Sequence, residues 1–224
     1  MQFSDDQKIA YDKILELLSS SGVNVESKSL SPLNQKKNKE VAIIGKAGSG
    51  KTLLLAKIVT DLNELGVETV SGEYQPAKIN DKRTLAILAP TNKAASVIRQ
   101  QGVAATTIHR ILYSPIYDPE YEKIADWLNG KQNKPIIDGL TDDALKRAES
   151  FFKTNKSIPG ALAVAGLRGS DFITGWKRRE EPLDIGFVDE SSMLDEKQLS
   201  DLRDIFSTLI LFGDPAQLAP VGNS

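Results

Sequence analysis

Residues Gly45 to Thr52 read GKAGSGKT and satisfy the pattern G-x-x-x-x-G-K-[ST] at every fixed position. Gly45, Gly48 and Gly50, with Lys46, Ala47 and Ser49 between them, allow successive backbone N–H groups to curl around phosphate oxygens. A helix starting there adds roughly half a positive charge facing the anion. In this pattern Lys51 reaches the β- and γ-phosphates and the Thr52 hydroxyl ligates Mg²⁺. A phosphate-binding loop also needs an acid on a neighbouring strand, and the stretch IGFVDESS supplies two. Asp189 is placed to hold Mg²⁺ through water, and Glu190 to orient and deprotonate an attacking water as general base. Gln217, in LFGDPAQLAPVGNS, follows another apolar run, where a neutral amide can contact the γ-phosphate or the attacking water. Together these residues predict ATP and Mg²⁺ as the bound species and phosphoryl transfer to water as the chemistry.

Groups so far apart in the chain need a sheet to gather them along one edge. VAIIG precedes the loop as a strand, and TLLLAKIVTDLNEL follows it as a helix that Gly66 closes. TLAILAP reads as a second buried strand, followed by a helix from Asn92 to Gln101 that Gly102 closes, and TTIHRIL as a short helical segment. LDIGFVDE and STLILFGD read as further buried strands, each ending in acidic residues, with the helix DEKQLSDLRDIF between them. Strands alternating with helices predict an α/β fold with a mainly parallel sheet, whose ligands sit at the carboxyl ends of the strands.

Upstream, Ser4 and Gln7 fit a capping box, and Ala10, Ile14, Leu17 and Leu18 then fall on one helical face. Residues 20 to 40 are polar and turn-rich, and read as a surface loop. Residues 113–183 break the alternating rhythm: DPEYEKIADWL and TDDALKRAESFFK are helical in pattern, and no strong buried strand appears. The predicted organisation is one α/β domain made of 1–112 and 184–224, carrying a mostly helical inserted subdomain at 113–183. Trp127, Trp176, Phe151, Phe152 and the run Lys177, Arg178 and Arg179 lie in the insertion. An aromatic beside a basic run suits stacking on a base and holding phosphate; the alternative is a small core with a solvated charged edge.

Composition narrows the classes. The absence of cysteine excludes disulfides and thiolate metal sites, and the single histidine, His109, excludes a multi-histidine centre. No run approaches the length of a membrane span, and the N-terminus lacks the apolar core of a signal peptide, so a cytoplasmic location without membrane partners is expected. The net charge of −2, from 28 basic and 30 acidic side chains, argues mildly against an extensive nucleic-acid surface while leaving room for a local one.

The order of the motifs resembles a superfamily 1 DNA helicase of the RecD and Dda type. FSDDQKIAYDKI looks like the Q-motif, GKAGSGKT like motif I, LAPTNKAA like motif Ia, TTIHRIL like motif Ib, VDESSML like motif II and LFGDPAQLAPVG like motif III. The resemblance covers residues 3–19, 41–112 and 184–222, and implies the N-terminal RecA-like P-loop NTPase domain of an ATP-dependent enzyme translocating on single-stranded DNA, 5′ to 3′. It implies that Gln7 reads the adenine edge, with Phe3 as a packing neighbour, although Gln7 also fits a purely local role in the capping box. It implies that Pro90, Thr91, Asn92 and Lys93, and Thr107 and His109, touch the backbone of a DNA strand; His109 equally fits a packed histidine. Gln217 would couple the nucleotide to the DNA track.

In such helicases a second, C-terminal RecA-like domain completes the ATP cleft and supplies arginines. That domain is absent from this chain, so weak nucleotide binding, little turnover and no unwinding are expected of it alone. The alternatives from the same residues are an RNA-directed superfamily 1 helicase and a nucleotide-dependent binding module without productive hydrolysis.

Overall fold

The computed structural model describes residues 2–33, 38–45, 50–72, 74, 76–79, 81–167 and 172–213. Helix α1 (Asp5–Ser20) is started by the expected capping box: the Ser4 side chain accepts from the Gln7 N–H while the Gln7 side chain accepts from the Ser4 N–H. Two short strands follow, β1 (Val23–Asn24) and β2 (Ser29–Leu30), then β3 (Lys39–Ile44) and α2 (Lys51–Glu64). The chain continues through β4 (Glu68–Thr69), α3 (Pro76–Ile79), β5 (Thr84–Ala89), α4 (Asn92–Gln100), β6 (Ala105–Thr107) and α5 (Ile108–Leu112). Next come β7 (Tyr113–Tyr117), α6 (Pro119–Leu128), α7 (Asp142–Asn155), α8 (Ile158–Val164), β8 (Ile173–Arg178), β9 (Leu183–Val188), α9 (Glu196–Ile205) and β10 (Phe206–Gly213).

Contacts divide the chain into two compact units, Met1–Leu112 with Glu180–Ser224, and Tyr113–Arg179. The first is built on a parallel sheet in the order β3-β10-β9-β5-β4, with β6 also pairing β5. β5 and β9 are buried at every position, as befits central strands of a parallel sheet covered on both faces. Helix α2 lays Leu54, Leu55, Ile58, Val59 and Leu62 against it, the spacing of one apolar helical face. Gly66, at φ +98°, and Gly102, at φ +88°, lie in the left-handed region just beyond α2 and α4, as the helix-stop reading requires. This is the expected α/β arrangement of a mainly parallel sheet flanked by helices.

Two local expectations are corrected, and a third, a mostly helical insertion without a strong buried strand, is refined. TTIHRIL is not wholly helical: Ala105–Thr107 is a strand pairing in parallel with Ile87–Ala89, and the helix begins at Ile108 because the buried Thr107 hydroxyl accepts from the Arg110 N–H and caps it. The 20–40 stretch contains a ladder, Val23 opposite Leu30, anchored by the buried Val23. The region after residue 112 does contain strands: β7 and β8 pair antiparallel from Tyr113 opposite Arg178 to Tyr117 opposite Ile173. Both are half-exposed, so they lack the apolar run that marks a buried strand.

The second unit packs Ile124, Ile137, Leu145, Leu162 and Phe172 together, with the Tyr121 and Phe172 ring centroids 3.7 Å apart. Helices α7 and α8 meet through Ala144, Ala148, Ala161 and Ala165, small residues that permit close approach. Trp127 packs against this core, whereas Trp176 on β8 is 46% exposed, cross-strand from Pro115. Among the described residues, no helix is long and apolar enough to cross a membrane.

Candidate nucleotide-binding site

The register of the parallel strands brings their carboxyl ends level. Gly213 lies opposite Ile44, Leu211 opposite Val188, and Val188 opposite Leu88. The next residues therefore emerge along one edge: Gly45 after β3, Asp189 after β9 and Pro90 after β5. Backbone bonds stitch this edge together, with the Gly45 N–H donating to the Gly213 carbonyl at 2.9 Å and the Asp189 N–H to the Leu88 carbonyl at 2.8 Å.

Gly50 is the N-cap of α2 in the left-handed region at φ +78°, which favours glycine. A second constraint comes from across the fold. The Gln7 amide donates to the Gly50 carbonyl at 3.1 Å, and a Cβ on residue 50 would collide with Gln7 Nε2. Gly50→Ala is therefore expected to displace the Gln7 amide and to lower stability by about 1–2 kcal/mol from the left-handed backbone alone, checked by thermal denaturation. Lys51 and Thr52, both half-buried, form the first turn of α2. Lys46, Ala47, Gly48 and Ser49 lie outside the described residues, as does Gln217.

Asp189 and Glu190 are half-buried at the turn after β9. Glu190 adopts φ +50°, ψ +45°, a left-handed conformation uncommon for a residue with a side chain. The turn is held by its neighbours: the Met193 N–H donates to the Glu190 carbonyl at 3.0 Å, and the Ser191 hydroxyl donates to the Phe212 carbonyl at 3.0 Å. Ser191 thus ties the acidic turn to the end of β10, a role the sequence reading missed because serine beside DE carries no distinctive spacing. Among the described residues, no group of three or more acidic or imidazole side chains is placed to cage a metal ion. The Thr52 hydroxyl and the Asp189 carboxylate are hard oxygen donors, a set that suits Mg²⁺, which draws most of its ligands from water and phosphate.

The residues expected on a DNA strand fall into two groups. Thr91, Asn92 and Lys93 are exposed and Pro90 half-buried at the start of α4, where the Thr91 hydroxyl caps the helix by accepting from the Ala94 N–H at 3.1 Å. Thr107, by contrast, is only 7% exposed and its hydroxyl accepts from the Arg110 N–H. His109 is exposed on α5, and partial burial of its imidazole pushes its pKa below the usual value, favouring the neutral ring at pH 7.

Residues 30–224 match the AAA domain family. The chain belongs to that family. The AAA match takes in the P-loop, the Asp189–Glu190 turn and the second unit, and leaves all of α1, with Gln7, outside it. No curated protein sequence matches the chain.

Among solved structures, it is similar to Bacteroides sp Pif1 in complex with ADP-AlF4, at 18% identity and a TM-score of 0.39, covering 100% of this chain and 35% of that one. Unliganded Pif1 from Bacteroides sp is similar at 16% identity with a TM-score of 0.39, covering 100% and 34%. A structure of DNA unwinding at forked dsDNA by two coordinating Pif1 helicases gives 16% identity, a TM-score of 0.39 and coverage of 100% and 36%. The chain spans about a third of the length of these structures.

Proposed function

We propose that this chain is the N-terminal ATP-binding motor domain of an ATP-dependent DNA helicase that couples hydrolysis to 5′–3′ translocation on single-stranded DNA. The observation that carries the reading is the convergence of groups on one sheet edge. The P-loop helix, the Asp189–Glu190 turn and the Pro90–Lys93 segment, exposed from Thr91 onward, all follow from strands whose carboxyl ends the parallel register aligns.

In this reading Lys51 binds the β- and γ-phosphates, and Thr52 and Asp189 hold Mg²⁺, which neutralises charge on the phosphate oxygens. Glu190 takes the proton from the attacking water, and Gln217 senses the γ-phosphate. Gln7 serves the adenine side of the site. Thr91, Asn92 and Lys93 hold a DNA strand by its backbone, which positions the strand without reading its sequence. The capped start of α4 suits that role, because it keeps the exposed side chains on a rigid element. Thr107, paired opposite Ala89 and capping α5, fixes the start of the helix that carries His109, whose neutral ring contributes a hydrogen-bonding group.

A second RecA-like domain would complete the ATP cleft and supply cationic side chains to the developing charge. The half-exposed β7–β8 pair, with Trp176 beside Lys177, suits contact with unpaired bases.

Lys51→Ala tests the core of the proposal. Loss of a charge-assisted contact to phosphate is expected to weaken ATP binding by about 10- to 100-fold, measured by calorimetry. Equal binding by the two proteins would refute the P-loop assignment. Competition between DNA and RNA strands for stimulating hydrolysis in the full-length protein distinguishes the two tracks.

A further inference from the structure

Tyr11 lies one helical turn after Gln7 on α1, so the two side chains leave the same face. They reach different parts of α2. Gln7 bonds to the Gly50 carbonyl at its start, whereas the Tyr11 hydroxyl donates to Asp61 Oδ2 at 2.8 Å near its end. The other oxygen of that carboxylate, Oδ1, accepts from Lys57 Nζ at 2.8 Å. Asp61 is 9% exposed and lies on the inward face of α2, beside Ile58 and Leu62. A carboxylate in such a place is costly unless its oxygens are bonded, and Tyr11 supplies a bond that no other described residue is shown to make.

We infer that Tyr11 and Asp61 are positioning residues for the nucleotide site, holding α1 in the register that seats the Gln7 amide on the Gly50 carbonyl. The two attachments lie about 16 Å apart along α2, from the helical rise over the intervening residues, so they fix the direction of α1 as well as its place. The buried Ile14 and Leu18 already seat the later turns of α1 in the core, so these two polar attachments act on the start of the helix, where Gln7 lies. The Gly50 carbonyl also accepts the first helical bond of α2, from the Leu54 N–H at 3.1 Å. The position of α1 is thereby transmitted to the end of the loop that carries Lys51. Burial, with Asp61 reinforcing it, raises the Tyr11 pKa well above the usual phenol value, so the hydroxyl stays protonated and remains a donor across the working pH range. The Phe3 ring, 5.5 Å from that of Tyr11 between centroids, packs on the same side chain. Tyr11→Phe therefore removes the hydroxyl and keeps the ring contact.

The inference rests on the nucleotide-site reading, but its first test does not. In ¹⁵N-labelled protein without nucleotide, Tyr11→Phe is expected to move the Gln7 side-chain amide resonance toward the position of a solvated amide and to speed exchange of the Ser4 backbone N–H, which Gln7 Oε1 accepts. Asp61→Asn keeps an acceptor for the hydroxyl and is expected to leave the resonance in place, whereas Asp61→Leu is expected to shift it as Tyr11→Phe does. These two variants decide the matter should Tyr11→Phe fail to fold. A Gln7 resonance unmoved in both Tyr11→Phe and Asp61→Leu overturns the inference.

The second test is a cycle of ATP affinities. Tyr11→Phe is expected to weaken ATP binding about 3- to 10-fold in the wild-type background and to have no effect once Gln7 is alanine. Equal losses in both backgrounds would mean that Tyr11 acts on stability alone and would overturn the inference. A wild-type chain that bound no ATP would defeat the nucleotide-site reading, while the Gln7 resonance would still decide the positioning role.

Discussion

Glu190→Gln is expected to slow ATP hydrolysis by about 10²- to 10⁴-fold, the usual contribution of a positioned general base, while ATP affinity stays at the wild-type level. The substitution preserves size and hydrogen bonding and removes only the capacity to take a proton. The geometry explains why the position is sensitive. Glu190 is held at φ +50° between two anchors, the Asp189 N–H on the Leu88 carbonyl of β5 and the Ser191 hydroxyl on the Phe212 carbonyl of β10. A left-handed non-glycine residue costs about 1–3 kcal/mol and persists only where its surroundings over-determine it. Here, both adjacent strands do so. The carboxylate is thus presented from a backbone with little freedom to rearrange, which is what a base acting on one water requires.

Single-turnover hydrolysis by the full-length protein, in excess over ATP, is the measurement, because it does not depend on product release. Unreduced hydrolysis would remove Glu190 as the base. A parallel loss of ATP affinity would instead assign it to holding the nucleotide or its metal ion, the role given to Asp189.

What the sequence made legible follows from the range over which each signal acts. The capping box at Ser4 and the apolar runs of β5, β9 and β10 are local patterns, and each appears where its residues predict it. The edge-on gathering of Gly45, Asp189 and Pro90 was legible as well, because a parallel α/β sheet presents its ligand sites at the carboxyl ends of its strands. The misses are of another kind. Among the described residues β7 and β8 pair only with each other, and alternation along two half-exposed strands resembles an amphipathic loop. Thr106 and Thr107 read as helical in sequence because the following IHRIL is, and only their parallel pairing with Leu88 and Ala89 of β5 makes them a strand. Tyr11 and Asp61 lie on separate helices, and neither residue type announces a partner. Gln7 fits two roles at the level of sequence, and the structure shows its amide engaged by both Ser4 and Gly50.

The same blindness to long-range pairing hid the contact whose loss is expected to cost most. Arg83→Ala is expected to destabilise the first unit by about 3–5 kcal/mol, the cost of leaving one member of a buried ion pair without its partner. Arg83 and Asp184 stand just before the aligned starts of β5 and within β9, at the end of the sheet away from the P-loop, and are 6% and 1% exposed. The guanidinium donates through Nε to Asp184 Oδ2 at 2.6 Å and through Nη2 to Oδ1 at 3.3 Å. It also donates to the Ser31 and Ser21 carbonyls at 2.9 and 3.0 Å, tying the β1–β2 excursion to the base of the sheet.

Removing the arginine strands a carboxylate and two carbonyls at once. Arg83→Met combined with Asp184→Leu removes both charges and is expected to recover most of the loss. The pH dependence has a definite sign. Burial pushes the Asp184 carboxyl up, against the opposing pull of Arg83 and the Thr84 N–H. Because its folded pKa is raised, its contribution is fully present below the ordinary carboxylate value and declines as pH rises through the folded one. Acid therefore does not break this junction first. Glu40, held low by Arg203, behaves oppositely and loses its contribution as pH falls, but that pair is exposed and contributes little.

Both tryptophans, Trp127 and Trp176, belong to the second unit, so their fluorescence reports on that unit. Urea unfolding should be followed by hydrogen exchange of the β5 and β9 amides. Protection within about 1 kcal/mol of wild type in Arg83→Ala, the scale of an exposed pair, would show that the ion pair does not hold the sheet's base together.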